Sequence, residues 1–337
     1  MNETSDDSKR SDSPQARPSS WKRVFDAWKR WKKERPWFVP LLLYLATWIS
    51  TFFVGFVTYG SGTILGGLLF SAPLMIILTL HEAGHYVQSR RYKIAASLPY
   101  FIPFPLPPFG TFGAIIASRG LFPNRRALFD VGISGPLAGL VATLIFMVVG
   151  LANSTVVENF QDSSQYEGLI FGEPLIFQWT ARVILGYDSS QSLLLHPTAV
   201  AAWVGLLLTT LNLFPLGQLD GGHVLYALLE RRATFFYRAL FTAITLGVIV
   251  GRLWQWVLML VLVFFALGVR HPKTADDDAP LGWKRAAIGW LTLGFIFVGF
   301  TTNPLDYQEA EGNAPCATEN IEDSNESQKS DSDVPSF

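Results

Sequence analysis

The sequence predicts an all-α polytopic membrane protein with about six to seven transmembrane helices and a re-entrant, partly β loop after the second helix. Half of the 337 residues are hydrophobic and only 16% are charged. Apolar stretches of about 20 residues, long enough to cross a hydrocarbon core of about 30 Å, recur along the chain. Too few polar residues remain to cover a soluble globule, so a soluble protein is excluded.

The first 35 residues form a polar arm, which we predict to be cytoplasmic, basic and partly disordered. Ten Lys or Arg residues lie between Lys9 and Arg35. Aromatic residues recur among them at helical spacings of three and four, at Trp21, Phe25, Trp28 and Trp31. A basic, aromatic helix of this kind is typical of a segment that lies on an anionic membrane leaflet. We favour this interpretation over a nucleic-acid patch, so no nucleic acid is expected as a partner.

Seven apolar segments are predicted to span the membrane, and they make residues 36–302 one membrane-embedded domain. They cover about 37–58, 64–90, 128–151, 194–230, 233–251, 253–269 and 286–302. Basic residues of the connecting loops concentrate on the side of the N-terminus, as at Arg90, Arg91, Arg125, Arg126, Arg231, Arg232, Lys284 and Arg285. The positive-inside rule makes that side cytoplasmic. No organelle signal is recognisable, which favours a bacterial inner membrane as the location.

Residues 303–337 form an acidic tail that we predict to be disordered and to lie outside the cytoplasm. The tail contains nine acidic residues against one basic residue, Lys329. The single cysteine of the chain, Cys316, lies in this tail. One cysteine excludes an intramolecular disulfide and a CxxC zinc site.

One apolar stretch, Ser97 to Gly120, does not fit a helix. Five prolines in it remove backbone donors and clash with preceding turns: Pro99, Pro103, Pro105, Pro107 and Pro108. Non-helical backbone at membrane depth is tolerated only where protein or a water-filled cavity satisfies its polar groups. We therefore predict a re-entrant loop with a short strand near Thr111 to Ile116, and an interfacial loop is the alternative.

The second predicted span ends in the motif HEAGH, residues 81–85. Two histidines four residues apart lie on one face of a helix, which suits two imidazoles binding a single Zn²⁺. Glu82 lies where it can hold a water molecule at the metal and take its proton. His81 follows Ile64 by 17 residues, or about 26 Å of helix, so the motif falls inside the bilayer. Ionisable side chains are costly at that depth. We therefore favour a functional site over the alternative that these side chains are only hydrogen-bonded inside a helix bundle.

A tetrahedral zinc site with two histidines needs a third protein ligand at the same depth. Asp220 is the leading candidate, because it lies in a glycine- and proline-rich break, Thr210 to Val224, within the fourth predicted span. An N-cap of the next helical segment is the alternative role for Asp220, but it does not explain the nearby Asn212.

The HExxH motif together with NLFPLGQLDGG, residues 212–222, resembles the site-2 protease family of intramembrane zinc metalloproteases. The similarity extends to FDVGISGPLAG, residues 129–139, and to the apolar loop before it. Many bacterial members insert a PDZ domain or append a nucleotide-binding module. The exterior loop here, residues 152–193, is too short for either, so we expect substrate selection without these modules.

The resemblance implies a role for each residue of the motifs. His81, His85 and Asp220 match the zinc ligands, with one Zn²⁺ per chain as the cofactor. Glu82 matches the general base, and Asn212 matches a polar residue that steadies the substrate or the oxyanion.

The predicted function is hydrolysis of a peptide bond within or near the transmembrane segment of a single-span membrane protein, with release of a cytoplasmic fragment. A substrate helix must unwind near the site, and the strand around Phe112, Gly113 and Ala114 could receive it by edge pairing. Two alternatives use the same residues: a metal or proton transporter, and a non-catalytic protein that binds membrane helices. No oligomeric state is predicted.

Other ionisable residues near these segments are predicted to have supporting roles. We expect His223 to contact the site without being a ligand, because a third histidine would crowd it. His196 and His271 lie at the wrong depth and are expected at the surface. For Asp130, an interfacial ion pair near Arg126 or a helix-start carboxylate is favoured over a catalytic role.

Overall fold

The computed structural model of the chain describes residues 36–119, 121–157, 168–186, 191–262 and 274–308. The predicted N-terminal arm, most of the acidic tail and His271 lie outside these residues. Within these ranges the chain forms ten α-helices: α1 (Phe38–Val54), α2 (Ile64–Arg91), α3 (Arg125–Ala152), α4 (Leu175–Leu185), α5 (Pro197–Asn212), α6 (Asp220–Leu229), α7 (Ala233–Val250), α8 (Val257–Leu262), α9 (Trp283–Gly294) and α10 (Ile296–Gly299). A π-helical turn, Gly55–Tyr59, extends α1.

Eight short strands in the described ranges pair two by two, and every pair is antiparallel. The strands are β1 (Ala95–Ala96), β2 (Tyr100–Pro103), β3 (Thr111–Ile115), β4 (Ser118–Arg119), β5 (Thr155–Val157), β6 (Gly168–Phe171), β7 (Ser192–Leu194) and β8 (Leu305–Gln308). β1 pairs with β4, β2 with β3, β5 with β7, and β6 with β8.

Four helical segments among the described residues are long and apolar enough to cross a membrane. They are Phe38–Tyr59, Ile64–Arg91, Arg125–Ala152 and Asp220–Val250. The chain is thus mostly helical and has the character of a polytopic membrane protein. The fourth segment is folded back on itself, because a 3₁₀ turn separates α6 from α7 and the Tyr237 hydroxyl of α7 donates to the Gly222 carbonyl of α6 at 2.6 Å.

The predicted span 194–230 contains a helix break within Thr210 to Val224, as the sequence predicts. It is divided into α5, which ends at Asn212, and α6, which begins at Asp220. Pro215 has no backbone N–H to donate, and Gly217 has a φ of +52°, a left-handed conformation that favours glycine. The two residues stop the helix and place Asp220 at the start of a new one.

The longest helices begin at side-chain caps and pack around an apolar core. Thr63 Oγ1 accepts from Gly66 N at 3.1 Å before α2, and Asn124 Oδ1 accepts from Ala127 N at 2.9 Å before α3. The core between α2, α3 and α5 includes the buried residues Phe70, Leu74, Met147, Trp203 and Val204. This packing holds together three helices that reach the candidate site.

The proline-rich stretch contains the predicted strand, β3, which pairs with β2 in the register Tyr100↔Ile115 and Phe101↔Ala114. Two hydrogen bonds join the hairpin to the first helical segment: Ser50 Oγ donates to the Gly110 carbonyl at 2.6 Å, and Tyr59 Oη donates to the Pro108 carbonyl at 2.9 Å. The hairpin is therefore attached to the helices.

The acidic tail does not begin as predicted at residue 303. Leu305–Gln308 is strand β8, whose backbone pairs with β6 in the register Gly168↔Gln308 to Phe171↔Leu305. The composition of the tail does not predict this short strand, because the strand forms by pairing with a segment more than 130 residues away in the sequence.

Asp130 forms an ion pair, but its partner is Arg285 and not Arg126. Arg285 Nε and Nη2 donate to the two carboxylate oxygens at 2.8 and 2.9 Å, and Tyr92 Oη donates to Oδ2 at 2.5 Å. Arg126 instead donates to the Pro280 carbonyl at 2.5 Å. The hydrogen bonds to Asp130 raise the pKa of Arg285, and burial together with the same carboxylate raises the pKa of Tyr92. Asp130 therefore connects the ends of α2, α3 and α9.

Replacing Arg285 by glutamine should weaken this connection. The pair is bidentate but partly exposed, so we expect a loss of about 1 kcal/mol in the free energy of unfolding. Reversible unfolding in mixed detergent micelles measures the change. Lys284→Gln, which removes the neighbouring charge that lies over the Trp283 ring, is the matched control. If the stability losses of Arg285→Gln and Asp130→Asn simply add in the double variant, the ion pair is contradicted.

Candidate metal centre

The end of α2 that carries the HExxH motif is buried in the protein. His81 and Glu82 are only 3% and 5% exposed, and His85 is partly buried. A helix repeat of 3.6 residues places His81 and His85 on one face, and their rings are 5.0 Å apart between centroids. That face is directed towards the start of α6.

Asp220 meets the two histidines across the break between α5 and α6. Its Oδ2 atom is 3.2 Å from His81 Nε2 and 3.2 Å from His85 Nε2. The two Nε2 atoms are themselves 3.2 Å apart. Three donor atoms from residues up to 139 positions apart in the chain thus form a nearly equilateral triangle.

This donor set fits a tetrahedral metal ion. Nitrogen and oxygen ligands at about 2.0–2.2 Å from Zn²⁺ lie roughly 3.3 Å from one another, close to the observed separations. Two imidazoles and one carboxylate also match the ligand types of open zinc sites, which leave a position for water or substrate. The residues predicted as metal ligands are therefore the ones that the structure brings together.

A backbone contact orients His85. Its Nδ1 lies 2.8 Å from the Val131 carbonyl of α3, which can only accept, so Nδ1 carries the proton and Nε2 has a free lone pair. Such a hydrogen bond is the usual way in which proteins fix the tautomer and orientation of a metal-binding histidine.

Three glycines allow α3 to approach the histidines, a role that motif reasoning did not predict. A Cβ atom at Gly135 would lie 2.0 Å from His85 Nε2, and one at Gly139 would lie 3.0 Å from His81 Nδ1. On the other helix, a Cβ at Gly84 would lie 2.4 Å from the Ser134 carbonyl. The sequence contains a pattern that could have predicted this role: Gly135 and Gly139 of FDVGISGPLAG are four residues apart and therefore share one helical face.

The helix that carries Asp220 is held at both ends. Tyr237 is fully buried, and its hydroxyl contacts the Gly222 carbonyl in the first turn of α6. At the other end, the buried Arg125 donates to the Ala227 carbonyl at 3.2 Å and pairs with Glu230 at 2.6 Å. These contacts limit the movement of Asp220 relative to the histidines.

A cleft opens beside the three donor atoms. Its walls are Leu78, His81 and Glu82 of α2, Phe112, Gly113 and Ala114 of β3, and Leu208, Thr209 and Asn212 of α5. The side-chain nitrogen of Asn212 lies 3.3 Å from His81 Nε2. The predicted catalytic residues Glu82 and Asn212 and the predicted substrate-binding residues thus line one cleft.

The two other histidines that the structure describes, His196 and His223, lie outside this group of donor atoms. His223 packs against Gly132, and its ring centroid is 5.9 Å from that of Phe122. His196 precedes α5, where its Nδ1 accepts from Thr198 N at 3.3 Å. Neither belongs to the cluster that His81, His85 and Asp220 form.

The fold and the site together define a class: a polytopic membrane protein with a buried His₂Asp metal-binding centre, a glutamate beside it and a cleft that leads to it. The family model for peptidase family M50 matches residues 69–254, more than half of the chain. The chain belongs to peptidase family M50, and the resemblance to the site-2 protease family is confirmed.

Curated relatives from plants are similar over most of this chain. The chain is 32% identical to a probable zinc metalloprotease EGY1, chloroplastic, of Oryza sativa subsp. japonica, over 71% of this chain and 41% of that protein. It is 31% identical to the protein of the same name from Arabidopsis thaliana, over 70% and 42%. Identity to a probable zinc metalloprotease EGY2, chloroplastic, of Arabidopsis thaliana is 31%, over 65% and 38%.

The chain spans about two fifths of the length of these relatives. Their names place them in the chloroplast, which does not support the predicted bacterial inner membrane. No solved structure matches the chain.

Proposed function

We propose that this protein is an intramembrane zinc metalloprotease that hydrolyses a peptide bond within or near the transmembrane segment of a membrane-anchored substrate. The observation that carries the proposal is the triangle of His81, His85 and Asp220 donor atoms at 3.2 Å, with Glu82 buried beside it. A transporter needs no glutamate next to the first histidine, whereas hydrolysis needs a base at that position.

The proposed cofactor is one Zn²⁺ per chain, held by His81, His85 and Asp220. When bound, Zn²⁺ supplies a Lewis acid that polarises the scissile carbonyl and makes water a nucleophile near neutral pH. The names of the relatives as zinc metalloproteases support this choice of metal.

Glu82 and Asn212 are proposed to carry out the remaining steps of the reaction. The Glu82 carboxylate takes a proton from the attacking water and delivers it to the leaving amine. The Asn212 amide donates to the oxygen that becomes negative as the carbonyl carbon turns tetrahedral. Both side chains line the cleft, so both reach a peptide placed there.

The substrate is proposed to be a single-span membrane protein whose helix unwinds at the cleft. A helix hides its backbone in its own hydrogen bonds, so the reacting carbonyl is reached only after local unwinding. β3 pairs with β2 along one edge, and the segment Phe112, Gly113 and Ala114 lines the cleft. An unwound strand can pair along that segment, and the products are a cytoplasmic fragment and a membrane-embedded stub.

The finer architecture is also a proposal. We propose six to seven spans across residues 36–302, a cytoplasmic N-terminus, and a re-entrant position for the β2–β3 hairpin. The break before Asp220 supports this arrangement, since irregular backbone at membrane depth must line a cavity or be buried in protein.

Cleavage assays in the presence and absence of metal test the proposed function. The purified protein in detergent is expected to carry about one Zn²⁺ per chain and to cut some members of a panel of single-span test substrates within the span. A zinc chelator should stop cleavage and added Zn²⁺ should restore it, whereas a non-chelating isomer of the chelator should have no effect. Absence of cleavage together with metal flux in proteoliposomes would favour a transporter.

A further inference from the structure

We infer that Thr209 is a substrate-positioning residue, whose hydroxyl hydrogen-bonds the backbone of the unwound substrate segment where α5 lines the cleft. The inference rests on the proposed function and deepens it. It identifies the group on α5 that receives the second edge of the bound strand.

Two of the three elements that line the cleft, β3 and α5, differ in the groups that they present. Phe112, Gly113 and Ala114 of β3 line one part of the cleft, and the Gly113 N–H already donates to Thr111 Oγ1 at 3.0 Å. The last turn of α5 lines another part, and there the carbonyls of Thr209, Thr210 and Leu211 already accept from the N–H groups of Leu213 and Phe214. The residues of α5 that line the cleft are Leu208, Thr209 and Asn212.

The Thr209 hydroxyl is available for a ligand. Thr209 is 2% exposed and lines the cleft. Other helical threonines, such as Thr143 and Thr79, donate to the carbonyl four residues earlier at 2.8 and 2.6 Å. Within the described part of the chain, the Thr209 hydroxyl has no hydrogen-bond partner of this kind.

Its neighbour Thr210 has a different role. Thr210 is fully buried, and its hydroxyl donates to the Gly299 carbonyl at 3.2 Å, which attaches α10 to α5. Two adjacent threonines on one helix thus face different surroundings, one a protein carbonyl and the other the cleft. The chain thereby offers a matched control.

An unwound segment needs such a group. Each residue of the substrate strand loses its helical hydrogen bonds, and β3 can satisfy only the groups on one edge. An unsatisfied carbonyl away from water is costly, so a hydroxyl on α5 improves substrate binding. Asn212, one helical turn further along, serves the reacting carbonyl, and Thr209 is positioned to serve a neighbouring one.

The decisive variants are Thr209→Val, Thr209→Ser and Thr210→Val, compared with the parent and with Glu82→Gln. Thr209→Val keeps the shape of the side chain and removes the hydroxyl. We expect its KM to rise about tenfold with kcat changed less than twofold, because the hydrogen bond forms in the bound substrate and in the transition state alike. Thr209→Ser should restore KM to within about twofold. Thr210→Val should lower thermal stability and leave KM unchanged.

Substrates with single backbone amide-to-ester replacements locate the partner group. An ester carbonyl is a weaker acceptor than an amide carbonyl. At one position near the cleavage site, the ester should weaken binding to the parent and make no further difference in Thr209→Val. Binding of the zinc-loaded Glu82→Gln protein to a fluorescent substrate segment, with and without Thr209→Val, gives the same test without turnover.

The outcomes separate this inference from the proposed function. If the parent does not cut, or Glu82→Gln does, the proposed function fails, while the binding comparison still decides the role of Thr209. If Glu82→Gln is inactive but Thr209→Val binds and cuts like the parent, only the inference about Thr209 is overturned. Loss of zinc from Thr209→Val would also overturn the inference about Thr209. So would an additive loss of binding when Thr209→Val is combined with each ester substrate in turn.

Discussion

Glu82→Gln is expected to lose cleavage activity by about 10²–10⁴-fold while it keeps its zinc and its fold. The substitution preserves the size of the side chain and removes its ability to accept and carry a proton. Because Glu82 is not one of the three clustered donor residues, zinc content should stay near one per chain. Cleavage rate under single-turnover conditions and zinc content by atomic spectroscopy, both on the same preparation, measure the effect.

A control for Glu82→Gln is Asp278→Asn, which removes one carboxylate from an exposed loop. We expect this variant to cut substrate at the rate of the parent. Retained cleavage in Glu82→Gln would remove the base from the proposed mechanism. Loss of zinc together with loss of cleavage would instead give Glu82 a role in holding the metal.

Gly135→Ala is expected to weaken zinc binding by about 10–100-fold, a size typical of changes to groups that orient metal ligands. Alanine is favoured over glycine inside a helix by about 1 kcal/mol, so local propensity alone predicts a more stable protein. The new methyl group, however, would lie 2.0 Å from His85 Nε2. The imidazole must rotate away, and it then loses both its donor position and its hydrogen bond to Val131.

The matched control is Gly247→Ala on α7, where an added Cβ meets no atom within 4 Å. This variant should keep zinc affinity and activity, and it should be as stable as the parent or more so. Zinc competition with a fluorescent chelator and thermal unfolding in detergent separate the two effects. Gly135→Ala with unchanged zinc affinity would show that the histidine is not held where the structure has it.

Some elements could be predicted from sequence because their signals are local. Histidines four residues apart share a helical face whatever surrounds them, and the run of prolines from Pro99 to Pro108 excludes a helix by covalent geometry alone. The strand near Thr111 and the break before Asp220 followed from the same local rules. The helix from Ile64 was predicted to within one residue at its C-terminal end.

Other features depend on residues that meet only after folding. Asp130 was expected near Arg126, its neighbour in sequence, but the folded chain brings Arg285 to it over 155 positions. Strand β8 and its partner β6 carry little signal alone, since each is ordered by the other.

The sequence by itself determined that this chain is a membrane protein and that it carries the side chains of a metal site. Composition and the spacing of His81, Glu82 and His85 do not depend on folding, so both conclusions can be drawn before the structure is known. Only the tertiary structure brings Asp220 to 3.2 Å from both histidines, places the glycine face of α3 where it leaves room for their rings, and puts Thr209 and β3 at one cleft. These are long-range contacts, and they arise from packing and chain reversal, for which no local pattern holds the information.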